Sequence, residues 1–133
     1  MRPHLVKKIL STDKKIYKDI DIEPVRQGFI SNDNVRIVRE GMRQTVTSGS
    51  ARSLNALPVE VAGKTGTAQW STKKDPHAWF TGFAPYDNPK IAFTFLIEEG
   101  KEGSTVCVPA AKEFLEWYFR GRYATSTPSE IKK

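Results

Sequence analysis

The feature that most constrains this chain is the run at residues 61–70, Val-Ala-Gly-Lys-Thr-Gly-Thr-Ala-Gln-Trp. The valine and tryptophan at its ends favour a strand, and its two glycines leave the backbone bare where another group must approach closely. Lys64 supplies a compact positive charge with three donors, and Thr65 and Thr67 supply hydroxyls that donate and accept. The run therefore predicts a β-strand that can hold a carboxylate.

The run permits two other interpretations. Gly63-Lys64-Thr65 matches the end of the phosphate-loop pattern G-x-x-x-x-G-K-[ST]. That pattern requires a glycine where the chain has Pro58, and residues 54–62 contain none, so a nucleotide site is a poor fit. A glycine-kinked strand with a solvated lysine stays open for the Lys-Thr-Gly triplet taken alone, because three residues are a weak signal.

The hydrophobic pattern predicts the element order β-β-α-β-β-β-α, an α+β fold with helices packed on an antiparallel sheet. The helices are predicted at residues 34–47, with Ser31, Asn32 or Asp33 as the cap, and at 105–120. The strands are predicted at residues 5–10, 15–20, 60–71, 78–86 and 90–98. The strand at 90–98 is nearly all apolar, so it is expected at the centre of its sheet with both faces covered. The small polar residues at 48–53 predict a mobile or surface-wrapped linker.

The distribution of charge along the chain bears on whether its partner is an anionic polymer, a membrane surface or a nucleic acid. The 133-residue chain has a formal net charge of +6, with 11 basic and 6 acidic residues up to Arg52 and 10 and 9 after it. The basic half permits attraction to an anionic polymer or membrane surface, although a solvated basic surface is the simpler interpretation. Aromatic residues are not interleaved with these charges, so a nucleic-acid partner has little support.

Cysteine and histidine usage indicates neither a disulfide nor a metal site. Cys107 is the only cysteine, so no internal disulfide can form, and its position near a helix start predicts a small core residue. His4 and His77 have no ligand spacing around them. His77 precedes a strand, and a surface histidine is favoured over a residue at the rim of a site. We expect no metal and no cofactor.

The run at 61–70, together with His-Ala-Trp-Phe-Thr-Gly-Phe-Ala-Pro at residues 77–85, resembles the C-terminal part of class B penicillin-binding proteins, with elongation-type members the most similar. These proteins use three motifs, S-x-x-K, S-x-N and K-T-G. The resemblance covers residues 1–123, which are then the C-terminal part of a transpeptidase domain with a partial serine β-lactamase-like fold. Residues 124–133 are expected to form a flexible tail.

The resemblance implies an activity and roles for the third motif. Intact members cross-link peptidoglycan stem peptides through an acyl-serine intermediate, and β-lactams acylate the same serine. By this resemblance Lys64, Thr65 and Thr67 hold the substrate or β-lactam carboxylate, and Gly66 leaves room for the substrate along the strand. The backbone N–H of Thr67 supplies half of the oxyanion hole, an effect of ~3 kcal/mol per donor. Trp70 is a candidate for the border of the substrate groove.

The other two motifs have only letter matches. Residues 11–14, Ser-Thr-Asp-Lys, fit S-x-x-K, but they read as a polar turn between strands and precede Lys64 by only 53 positions. In the family a helical subdomain separates these two motifs. Residues 53–55, Ser-Leu-Asn, fit S-x-N within a connecting segment. We therefore expect the K-T-G strand without the nucleophile, so that the chain alone is inactive.

Two further function classes are possible. The first is a non-catalytic interaction module that uses the same sheet to contact a partner. The second is a serine β-lactamase, which also carries K-T-G and also needs a nucleophile. An upstream polypeptide carrying S-x-x-K and S-x-N would favour the transpeptidase over the interaction module.

The resemblance also implies partners and a location. Stem peptides and β-lactams are the expected ligands, with the upstream part of the same transpeptidase and elongation-complex proteins as expected protein partners. The family works at the periplasmic face of the bacterial inner membrane, and no anchor is visible in this chain. In the family a strand from upstream pairs beside residues 90–98. Without it an apolar edge that invites association is expected.

Overall fold

The computed structural model describes residues 5–21 and 24–120. The chain divides into two compact units, residues 1–35 and 36–133. In the first unit, β1 (Lys8–Leu10) pairs antiparallel with β2 (Ile16–Asp19). Lys14, in the connecting turn, has a φ of 61°. The predicted hairpin is confirmed, with both strands shorter than the sequence indicated.

The first long helix, α1 (Asn32–Thr47), is confirmed and begins two residues earlier than predicted. Ser31 is the capping residue, because its Oγ accepts a hydrogen bond from the N–H of Asn34 at 3.3 Å. At the other end, the Gly49 N–H donates to the Gln44 carbonyl at 3.0 Å, which satisfies a carbonyl of the last turn.

The segment after α1 is ordered, which corrects the predicted mobile or wrapped linker. Ala51 is fully buried, and a short 3-10 helix follows at Arg52–Ala56 with Leu54 buried inside it. The Asn55 side-chain amide donates to the Val46 carbonyl at 2.8 Å. The small polar composition suggested mobility because it carries no periodicity, whereas two buried apolar side chains anchor the segment.

The three strands of the second unit form an antiparallel sheet in the order β3-β4-β5. Their bounds are β3 (Ala62–Ala68), β4 (His77–Ala84) and β5 (Ile91–Ile97). The predicted central position of β5 is wrong, because β5 pairs only with β4 among the described strands. One of its faces is exposed, with Leu96 at 44%. The other face packs on the core through Phe93 and Phe95.

The final helix, α2 (Gly103–Phe119), covers one face of this sheet. The fully buried core brings together side chains from α1, the 3-10 helix, the sheet and α2, with Val46, Leu54, Phe80, Leu115 and Phe119 among its largest members. The predicted tail at residues 124–133 lies outside the described residues. Within the described ranges, no helix is both long and apolar enough to cross a membrane.

Cys107 is buried in α2, as predicted, and its environment implies a pH dependence. Burial raises the pKa of the thiol above its ordinary value. The unfolded chain therefore loses this proton at a lower pH than the folded chain. The resulting stability is present below the unfolded pKa and is lost as the pH rises from there through the folded pKa. Urea unfolding above pH ~8.5 should show a fall in stability that Cys107→Ala reduces, and an unchanged pH dependence in that variant would contradict this.

Candidate functional site

The predicted carboxylate-binding run forms β3, an edge strand of the sheet. Its N-terminal end is buried through Val61 and Ala62, and it pairs along its whole length with β4. Gly63 is required by the packing here, because a Cβ at this position would lie 2.5 Å from the ring of Phe80. The extended backbone continues through Gly66, whereas a phosphate loop needs a turn before a helix. The geometry therefore excludes the phosphate-loop interpretation.

The register places the polar groups of the K-T-G motif on opposite faces of β3. Thr65 is opposite Phe80, which belongs to the buried face of the sheet, and Thr67 shares that face. Lys64 is opposite Thr81 and lies on the outer face, as does Gly66. A ligand can therefore meet the ammonium and both hydroxyls only along the edge of β3 that pairs with no other described strand, where the two faces join.

Lys64 is exposed and carries a charge that no described acid neutralises. Its Nζ donates to the carbonyl oxygen of Thr65 at 2.7 Å, and no ion pair to a described carboxylate is present. A neutral carbonyl offsets only part of the charge of an ammonium. The group is thus available to an incoming anion at the strand edge.

The two threonines differ in their surroundings. Thr65 is half-buried, and its Oγ1 lies 2.8 Å from the Oγ of Ser50, in the segment between α1 and the 3-10 helix. Thr67 is exposed, and in the described part of the chain its hydroxyl has no side-chain partner. Sequence reasoning missed Ser50, because no local pattern links it to a strand 15 positions away.

The start of α2 lies directly behind the centre of β3. A Cβ on Gly103 would lie 2.1 Å from the Trp79 carbonyl oxygen and 2.8 Å from that of Gly66. This glycine is buried, so the first turn of α2 rests against the backbone of both strands. The position of Gly66 is thereby coupled to the packing of the helix.

Trp70 lies just beyond β3 and takes part in the β3–β4 connection. Its ring stacks on that of His77 with centroids 4.9 Å apart, and the Lys74 Nζ lies 4.8 Å from its centroid. The indole N–H donates to the Asp75 carbonyl at 3.0 Å. Trp70 is 48% exposed, so a part of the ring remains accessible, and its role at a groove border stays a prediction.

His77 is half-buried, and its interactions are structural. The imidazole Nδ1 accepts a hydrogen bond from the Glu99 N–H at 3.1 Å, which links the start of β4 to the turn after β5. Lys74 and Glu99 form an ion pair at 2.8 Å across the same junction. These contacts keep the connection beyond Trp70 in place.

The residues that match S-x-x-K and S-x-N by letter make hydrogen bonds to nearby parts of the chain. Ser11 donates to the side chain of Asp13, and its Oγ also lies 3.1 Å from the Lys15 carbonyl oxygen within the β1–β2 turn. In the second match, the Asn55 amide donates to the end of α1. Neither observation brings a serine and a lysine together as a nucleophile and its base.

No metal site is present in the part of the chain that the structure describes, since no three His, Cys, Asp or Glu side chains cluster there. A surface cavity of about 330 Å³ opens at the other end of the sheet, between the segment before β3 and the β4–β5 turn. Pro58, Tyr86 and Lys90 are among its lining residues, and none of the predicted site residues belongs to it.

The family model described as the penicillin binding protein transpeptidase domain matches residues 1–116. The chain belongs to this family, and the resemblance and fold class predicted from the sequence are confirmed. Peptidoglycan D,D-transpeptidase MrdA of Haemophilus influenzae is 31% identical over 140 residues, which cover 90% of this chain and 21% of that protein. The matched homologues are peptidoglycan D,D-transpeptidases, and the chain spans about a fifth of the length of this relative.

Solved structures of penicillin-binding proteins resemble the fold of this chain. Penicillin-binding protein A of M. tuberculosis, as a penicillin G acyl-enzyme complex, has a TM-score of 0.66 and 26% identity, covering 87% of this chain and 27% of that one. PBP2 of Helicobacter pylori in complex with MreC has a TM-score of 0.61 and 30% identity, covering 75% of this chain and 20% of that one. Both are transpeptidase-family structures of which this chain corresponds to a part.

Proposed function

We propose that this chain is the C-terminal portion of a peptidoglycan D,D-transpeptidase and supplies the strand that binds the carboxylate of a stem peptide or β-lactam. The observation that carries the proposal is the exposed Lys64 ammonium at the free edge of β3, without an acidic partner among the described residues. Two hydroxyl groups, on Thr65 and Thr67, flank the same edge. The cation supplies attraction, and the hydroxyls supply directed hydrogen bonds.

The roles of the site residues follow from their places on β3. Lys64 binds the carboxylate from the outer face, and Thr65 and Thr67 donate to it from the inner face. Gly66 keeps the strand free of a side chain where the substrate backbone lies. The N–H of Thr67 donates to the developing oxyanion, and Trp70 borders the groove.

The nucleophile and its base come from outside this chain. The Ser11 hydroxyl is engaged in its own turn. Asn55 is committed to the end of α1. The proposed source of the two missing motifs is the upstream part of the same transpeptidase. The edge of β5 supports this, because β5 pairs only with β4 among the described strands and its exposed face includes Leu96.

The same proposal implies a cellular location and binding partners. The transpeptidase works at the periplasmic face of the inner membrane in the bacterial cell envelope. Elongation-complex proteins are proposed partners, and the complex of H. pylori PBP2 with MreC supports this. β-Lactam binding is supported by the penicillin G acyl-enzyme of the M. tuberculosis protein.

Labelling with fluorescent penicillin, followed by mass spectrometry of the intact protein, tests whether the nucleophile lies in this chain or in an upstream transpeptidase polypeptide. The 133-residue chain alone should acquire no covalent adduct. When the chain is mixed with an upstream transpeptidase polypeptide that carries S-x-x-K and S-x-N, the label should appear on that polypeptide. An adduct on Ser11 or Ser53 would overturn the proposal and make the chain a minimal acyl-serine enzyme.

A further inference from the structure

Within the described residues, Ser50 makes the only side-chain hydrogen bond to the hydroxyls of Thr65 and Thr67 that comes from outside the sheet. Its Oγ lies 2.8 Å from Thr65 Oγ1, and either oxygen can be the donor. This distance is typical of a well-formed O–H···O hydrogen bond. No local sequence motif requires the contact, because the two residues are 15 positions apart.

The backbone on both sides of Ser50 is held in place. The Gly49 N–H donates to the Gln44 carbonyl at 3.0 Å, and the Ala51 N–H donates to the Thr45 carbonyl at 3.0 Å. Ala51 is fully buried. A Cβ at position 49 would lie 2.8 Å from the Thr45 backbone, so this approach needs a glycine. These contacts hold the backbone of Ser50, whose side chain is exposed, beside β3.

The direction of the hydrogen bond between Ser50 and Thr65 decides whether Thr65 can donate to a bound anion. Each hydroxyl has one proton to donate and two lone pairs that accept. If Thr65 donates to Ser50, it has no proton left for a carboxylate. If Ser50 donates to Thr65, the Thr65 proton is free to point at the ligand, and the polarised hydroxyl is a stronger donor.

We propose that Ser50 is a positioning residue that donates to Thr65 Oγ1 and thereby directs the Thr65 proton toward the ligand carboxylate. This inference rests on the proposed function of β3 as the carboxylate-binding strand. It assigns to Ser50 a role in preferring ligands that end in a free carboxylate over their neutral counterparts. Ser53, the serine that fits S-x-N by letter, is three residues farther along and makes no hydrogen bond to β3 in the described part of the chain.

The test compares an acyl-D-alanyl-D-alanine dipeptide with its C-terminal amide, with NMR titrations of the 133-residue chain as the readout. Ser50→Ala should weaken binding of the carboxylate ligand by about three- to tenfold, the effect of one hydrogen bond, and leave the amide unchanged. Thr65→Val should weaken carboxylate binding at least as much. Ser50→Ala should then add nothing in the Thr65→Val background, whereas it should keep its effect in Thr65→Ser, which retains the hydroxyl.

Ser48→Ala is the matched control, because the Ser48 hydroxyl bonds to the Gln44 carbonyl within its own helix turn at 3.3 Å. It should leave both affinities unchanged. Equal losses for both ligands, or effects of Ser50→Ala and Thr65→Val that multiply, would overturn the positioning role. A carboxylate preference in the wild type that Ser50→Ala leaves intact would overturn this inference alone. If the wild type shows no carboxylate preference, the proposed function fails and this inference fails with it.

Discussion

Replacing Lys64 with methionine is expected to weaken binding of an acyl-D-alanyl-D-alanine dipeptide by about tenfold or more, because a hydrogen bond to a charged group contributes ~1.5–3 kcal/mol. Methionine is one heavy atom shorter than lysine and keeps an unbranched stem, while the ammonium is lost. Arg43 donates to the Val61 carbonyl at 3.0 Å, just before β3, but its guanidinium is paired with the Glu60 carboxylate at 2.8 Å. Lys64 has no such acidic partner among the described residues. Isothermal or NMR titration measures the change.

The control for this prediction is Lys73→Met, which removes the same charge from the β3–β4 connection. Lys73 is exposed, and its hydrogen bond is made by its backbone N–H, which donates to the Ser71 hydroxyl at 3.1 Å. We expect an affinity close to that of the wild type. Equal losses in the two variants would show that net charge, and not the position of Lys64, governs binding. Added salt should weaken the wild type more than Lys64→Met, because exposed charges are screened.

The second large effect is expected from Gly103→Ala, which should lower the free energy of unfolding by about 1–3 kcal/mol or more, as overpacking does. The new Cβ would lie 2.1 Å from the Trp79 carbonyl oxygen and 2.8 Å from that of Gly66. Both atoms belong to the backbone, so no flexible side chain can move aside. The first turn of α2 must shift away from β3 and β4, and urea unfolding measures the cost.

Gly41→Ala is the matched control, since nothing lies within 4 Å of a Cβ at this position in α1. There alanine should stabilise the helix by about 0.5–1 kcal/mol. A Gly103→Ala variant as stable as the wild type would contradict the close packing of α2 on the strands. The same variant should also disturb ligand binding, because the carbonyl of Gly66 is one of the two atoms that the Cβ would meet.

The site residues that could be predicted from the sequence are those that lie together in one strand. Residues 61–70 combine strand formers, glycines, an ammonium and hydroxyls in a fixed order, so both the strand and its chemistry follow from local sequence. The opposite placement of Lys64 and Thr65 across the sheet also follows from the two-residue period. Ser50 could not be predicted, because its contact depends on how the end of α1 packs beside β3.

The errors in the fold have a common cause. The apolar content of residues 91–97 identified β5 as a strand but did not show how many strands pair with it. A largely apolar run of seven residues fits a central strand and also an edge strand with one covered face. In β4, the large alternating side chains of Trp79 and Phe83 predict that their face packs on the core. The structure buries Ala78, Phe80 and Ala84 instead, because α2 packs on that side. Which face a strand buries depends on its tertiary partners as well as on the size of its side chains.

The most direct test of the central claim is a titration of the isotope-labelled wild-type chain with the acyl-D-alanyl-D-alanine dipeptide and, separately, with its C-terminal amide. If β3 is the carboxylate-binding strand, the carboxylate ligand binds more tightly than the amide and the largest shifts fall on residues 64–67. Equal responses to the two ligands, or shifts confined to other strands, would contradict the assignment of β3 as the carboxylate-binding strand.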